Sequence, residues 1–175
     1  MGHSTCWWGW VLAMQGHEEE GLAQLHQGLT TVLATGQTLS QPLHLVLCAE
    51  AAGCAGEVDE GLHLLAKALR AFETSGRGDM LAEAYRLRGV FLLRQTVPDV
   101  VQAEACFQQA LAIARRQQAK SWELRAAMSL ARLWQQQGKR AEAQALLAPV
   151  YGWFTEGFDT SDLQDARALL GELER

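Results

Sequence analysis

Four copies of one short pattern, set about forty residues apart, constrain this chain more than any other feature of its sequence. Gly16-His-Glu-Glu-Glu-Gly21-Leu-Ala-Gln-Leu25-His-Gln-Gly28 matches Gly56-Glu-Val-Asp-Glu-Gly61-Leu-His-Leu-Leu65-Ala-Lys-Ala68 in spacing and character. Gly138-Lys-Arg-Ala-Glu-Ala143-Gln-Ala-Leu-Leu147-Ala-Pro-Val150 repeats it, as does Ala103-Glu-Ala-Cys-Phe107-Gln-Gln-Ala110 behind a short insertion. The small residue after each turn falls at 21, 61, 103 and 143, giving spacings of 40, 42 and 40. Self-similarity at such a period is the mark of a solenoid, in which no unit buries its apolar face alone.

Each unit reads as a helix, a turn and a second helix. Upstream of the turn, small residues share one register, Gly9, Ala49, Gly89 and Ala131, followed three residues later by Leu12, Ala52, Leu92 and Trp134. Downstream, each small residue is followed four later by Leu25, Leu65, Phe107 or Leu147. Spacings of three and four keep these on one helical face, and alternating small with large residues suits two closely crossing helices. Composition agrees: Leu and Ala supply 54 of 175 residues, the β-branched Val, Ile and Thr only 19, a balance that favours helix over strand.

Boundary residues place helices over 4–15, 17–35, 41–55, 57–74, 79–95, 98–118, 122–137, 139–155 and 161–173. Ser40 with Pro42 marks one start, Pro98 suits a first turn, and Ser121 serves as an N-cap. Gly16, Gly36, Gly56, Gly76 with Gly78, and Gly138 sit where helices stop. The expected fold is one all-α domain over 1–175, with repeats at about 2–39, 40–77, 78–119 and 120–158 and a capping helix over 160–174. That last helix follows Asp159-Thr160-Ser161-Asp162 and carries Leu163, Ala166, Leu169, Leu170 and Leu173 on one stripe, with Gln164, Asp165, Arg167 and Glu172 outside, as a solenoid's end requires. The first helix instead holds Trp7, Trp8 and Trp10 with nothing before them. Trp8 is expected to pack inward, and the rest imply either upstream repeats or pairing with another molecule.

The small and large order around Gly-x-x-x-x-[small] resembles the tetratricopeptide repeat (TPR), although that repeat is usually about 34 residues. The resemblance implies a right-handed superhelix. The stretch Ala103 to Leu170 is similar to the C-terminal helical regions of bacterial ATPase-coupled regulators and multidomain adenylate or guanylate cyclases. It implies a sensor, adaptor or scaffold module of a signalling system without the catalytic domain.

Residues that could carry chemistry are sparse. His44 and Cys48, four apart, could share a metal but make only two ligands, so a buried thiol beside a partly exposed imidazole is expected and no metal or cofactor is assigned. Cys6, Cys48, Cys54 and Cys106 show no Cys-x-x-Cys pair and read as reduced, mostly buried thiols of a cytoplasmic protein. Glu18-Glu19-Glu20 suits the first turn of a helix. No P-loop, nucleophile elbow, zinc-protease or dinucleotide motif occurs, which points away from an enzyme. Neither an 18-residue apolar run nor the charge order of a signal peptide is present. A net charge of −5 argues against nucleic acid as the partner, but residues 76–150 carry eleven basic and six acidic groups, a local basic region.

In TPR-like superhelices the first helix of each unit lines the concave side. The repeat register places Cys6, Trp10 and Met14 there in unit one, and Val46, Glu50 and Cys54 in unit two. Unit three adds Glu83, Arg86, Val90 and Arg94, and unit four Arg125, Met128, Arg132 and Gln136. Arg86 with Arg94 and Arg125 with Arg132 lie two turns apart, a row suited to forked capture of carboxylate or phosphate, unless they are solvated and paired with Glu83, Glu123 and neighbours. Two functions stay open: a groove for an acidic protein or peptide partner, or a small-ligand sensor taking an anionic metabolite. A homodimer through the N-terminal edge at Trp7 and Trp10 is expected in either case.

Overall fold

The computed structural model describes residues 2–34, 40–76 and 78–175. Among them lie nine helices and no strand: α1 (Gly2–Met14), α2 (Glu18–Ala34), α3 (Gln41–Cys54), α4 (Val58–Ser75), α5 (Leu81–Arg94), α6 (Val100–Arg116), α7 (Lys120–Gln136), α8 (Arg140–Tyr151) and α9 (Ser161–Leu173). They pack as consecutive antiparallel pairs, and the first helix of each pair also touches the first of the next, so that α1, α3, α5, α7 and α9 form one continuous layer.

The repeated residues build this arrangement. Leu25, Leu65, Phe107 and Leu147 are each at most 1% exposed, and the small residues at 21, 61, 103 and 143 are buried beside them. Pairing is tightest in the first unit, where a Cβ placed on Gly21 would stand 2.6 Å from the amide nitrogen of Ala13 and the carbonyl oxygen of Gly9. In the second, the Phe91 ring of α5 enters the space that glycine leaves open at Gly53 and Gly61. Gly16, Gly56 and Gly138 close the intra-unit turns of units one, two and four with φ between 79° and 90°, a backbone that a side chain disfavours. Gly36 lies outside the described residues.

Several boundaries differ from the sequence reading. Ser121 is no N-cap: α7 begins a residue earlier, behind Ala119, whose methyl side chain caps nothing. Pro98 precedes the helix, and Asp99 caps α6 by accepting from the amide of Gln102 at 3.0 Å. Helix α8 ends at Tyr151 rather than 155, two residues after Pro149, a residue that cannot donate to the preceding turn. Thr160 stands at the N-cap of α9, but its hydroxyl donates to the carbonyl of Gly157. On α9 itself Leu163, Ala166, Leu169 and Leu173 are buried as the stripe required.

Trp8 does not pack inward; it is 59% exposed, more than Trp7. The buried positions of α1 are Gly2, Cys6, Gly9, Leu12 and Ala13, and the close approach of α2 at Gly9 leaves no room for an indole. No described helix is long and apolar enough to cross a membrane.

Candidate functional site

The layer of first helices carries a chain of polar contacts between residues about one repeat apart. At its N-terminal end the Trp10 indole on α1 donates to Glu50 on α3 at 2.8 Å. Burial pushes the Glu50 carboxyl up, and the bond from Trp10 works against that push. Next along, Glu83 on α5 is 1% exposed and doubly clamped. Arg86 donates to both of its oxygens at 2.8 and 2.7 Å, and Arg125 on α7 adds a bond to Oε1 at 2.9 Å. Burial alone would push the Arg86 guanidinium down, but the hydrogen bonds that it donates to Glu83, with that carboxylate's charge, hold it above its ordinary value. Arg125 continues the chain to Asp162 on α9 at 3.4 Å.

The four-arginine row therefore divides. Arg86, from within α5, and Arg125, from α7, both donate to the Glu83 carboxylate, and the Arg125 bond fastens α5 to α7. Arg94 and Arg132 are exposed. Arg94 donates one N–H to the carbonyl of Gly53 at 3.0 Å, and Arg132 makes no hydrogen bond or ion pair among the described residues. Both line, together with the Glu83-bound Arg86, a cavity of about 350 Å³ between α5 and α7, with Ser129 and Gln136 at its edge and Val90, Leu93, Leu133 and Phe107 as its apolar wall. A second cavity of about 330 Å³ lies between α7 and α9. It shares Arg132 and Gln136 and adds Gln135, Asp165 and Glu172.

Cys6, Val46, Met128 and Glu83, placed on the groove by register, are buried instead. Helix α3 shows why: it packs against α1, α2, α4 and α5, so His44 through Ala49 are all buried and little of its surface is left to face a groove. Met14, Cys54 and Gln136 are exposed and Trp10 and Glu50 half-buried; the second unit does border a cavity of about 460 Å³, but it lies between α4 and α5, lined by Leu62, Ala66, Leu69, Tyr85, Arg88 and Leu92 and by none of these register positions.

The His44 imidazole is fully buried rather than partly exposed, and its Nε2 lies 3.3 Å from Nδ1 of His3. Burial, with His3 beside it, pushes it below the ordinary imidazole value, against an opposing backbone contact at Ser40. Cys48 is pushed up to about 12, chiefly by burial, far from the reactive thiolate range. All four cysteines are free, and Cys54 alone is exposed. Among the described residues no three His, Cys, Asp or Glu side chains converge where a metal ion could be held.

His3, Ser129, Asp162 and Glu172 are partners that the helical register alone does not reveal. The signal was present in the repeat period: His3 with His44, Trp10 with Glu50, Gly53 with Arg94, Glu83 with Arg125 and Gln135 with Glu172 stand 41, 40, 41, 42 and 37 residues apart.

Comparison with solved structures agrees with this geometry. The chain superposes on two crystal structures of Podosopora anserina kinesin light chain nearly identical TPR-like repeats, one a substituted variant, with TM-scores of 0.74 and 0.73 and 18% sequence identity. Each superposition covers 98% of this chain and 84% of the other. At that identity the likeness establishes the fold, and the fold is TPR-like. No protein-family model matches the sequence, and a comparison with curated proteins gives no match.

Proposed function

We propose that this chain is a non-catalytic interaction module that holds an acidic segment of a partner protein against the α5–α7 cavity on its concave layer. The observation that carries the reading is the contrast among its arginines. Two are tied to Glu83, whereas Arg132 is exposed without a partner and Arg94 keeps most of its donors free, both beside an apolar wall. A guanidinium has five N–H donors in a fixed fork that fits carboxylates. A flanking apolar side chain of the partner would cover Val90 and Leu93. We further propose a cytoplasmic adaptor of a bacterial signalling system as its setting.

A selection of twelve-residue displayed peptides on the wild type and on an Arg94→Glu/Arg132→Glu variant tests the reading. Circular dichroism of the variant checks that it keeps the helical fold, because Arg94→Glu also removes the bond to Gly53. Enrichment of acidic peptides that the variant no longer retains supports the proposal; equal retention contradicts it.

The N-terminal edge supports a second contact, self-association at Trp7 and Trp10. Trp7 is 46% exposed and meets Trp10 edge to face at 6.1 Å, with Trp8 adding apolar surface of the kind that marks contact sites. Sedimentation of the wild type and of Trp7→Ser/Trp8→Ser distinguishes a homodimer, dissociated by the substitutions, from a monomer that they leave unchanged. The variant spares the Trp10–Glu50 bond.

A further inference from the structure

The two concave cavities are contiguous through Arg132 and Gln136, yet their charges are opposite. On the α5 side stand Arg94 and Arg132. On the α9 side stand Asp165 and Glu172, seven residues apart on one helix and both exposed. Arg132 pairs with neither carboxylate, and the contact recorded for Glu172 is a 3.3 Å hydrogen bond from Gln135. A purely acidic segment would satisfy the first cavity while placing negative charge against Asp165 and Glu172 in the next.

Resting on the groove reading above, we infer that the site takes a dipolar segment: a carboxylate between Arg94 and Arg132 and, one helix spacing away, an ammonium or guanidinium group against Asp165 and Glu172. Neighbouring helices stand about 8–10 Å apart, and an extended chain in the polyproline II form advances about 3.1 Å per residue and returns its side chains to the same side every third residue. The acidic and basic side chains of the ligand are therefore separated by about three residues. Val90 and Leu93 on the basic side and Ala168 on the acidic side supply apolar contact to what lies between. This order of charge makes the site selective against uniformly acidic chains, because a like charge opposite Asp165 is repelled while the correct one is drawn in.

A synthetic array of twelve-residue peptides, with one Asp and one Lys moved independently along an otherwise neutral sequence and a parallel set carrying two Asp, provides the test. Labelled wild-type protein is applied beside Arg94→Glu/Arg132→Glu and Asp165→Lys/Glu172→Lys, all at exposed positions. The wild type is expected to bind peptides with Asp and Lys about three residues apart at least tenfold more tightly than those with two Asp. The Asp165→Lys/Glu172→Lys variant is expected to reverse that order. Equal wild-type binding of both sets, with loss in Arg94→Glu/Arg132→Glu, overturns the dipolar inference and leaves the acidic groove standing. Binding that ignores all four substitutions overturns both. Displacement of every peptide by free lysine or glutamate assigns the site to a small molecule and likewise overturns the inference.

Discussion

Glu83 on α5 accepts from Arg125 on α7 at 2.9 Å, 42 residues further along the chain, and this one bond measures the repeat period in space. With Arg86 closing the other side, the carboxylate is enclosed by two guanidiniums in a layer where water hardly reaches it. Removing one partner of such a buried pair strands the other charge, whereas replacing the pair by apolar groups is far less costly. Glu83→Ala is therefore expected to destabilise by about 3–5 kcal/mol, with Glu83→Ala/Arg86→Met recovering most of the loss. Urea midpoints of the three proteins check it; a single variant as stable as the wild type would place Glu83 in solvent.

Phe107 fills the gap at Gly89, where a Cβ would meet the ring at 2.5 Å, and it is 1% exposed. Phe107→Ala should cost about 3–5 kcal/mol, the range for truncating buried aromatics. A loss under about 1 kcal/mol would mean that the third unit repacks without its central ring.

Gly21→Ala tests the opposite error, overfilling. The added methyl would meet main-chain atoms of Gly9 and Ala13 rather than a movable side chain, so α1 must shift, at about 1–3 kcal/mol. Thermal unfolding of the variant checks this, and an unchanged midpoint would show that α1 and α2 are held further apart.

His44 makes stability depend on pH. Its folded value lies below the ordinary 6.5, so on acidification the unfolded chain takes up the proton first. The contribution is complete above 6.5 and is lost as pH falls from there toward the folded value. The Glu50 carboxyl, raised by burial, acts with the opposite sign, so the comparison is between the wild type and His44→Gln, in which Glu50 cancels. Denaturant midpoints at pH 7.5 and 5.8 should fall further for the wild type than for the variant; parallel changes would contradict a buried neutral imidazole.

The helices were legible in the sequence because one pattern states them four times, and most boundaries fall within two residues of the structure. The end of α8 was missed because Trp153 and Phe154 carry the apolar pattern on past Gly152, where the helix has already stopped. The groove was only half legible. Periodicity finds the face that α7 turns to α8, but it does not tell covered positions from open ones beside that face: Met128 is buried and Arg132 exposed although they stand four residues apart on one side of the helix. That choice depends on neighbours forty residues away, and so does the distinction between an arginine tied to Glu83 and one left free.

The most direct measurement of the central claim is amide NMR of the isotopically labelled chain titrated with a twelve-residue peptide carrying an Asp three residues from a Lys. The account predicts shifts that saturate at Arg94, Ser129, Arg132 and Gln136 and spread to Asp165 and Glu172, while Leu62 and Ala66 on α4 stay in place. Shifts confined to α4 and α6, or none at saturating peptide, would contradict a binding groove on the concave layer.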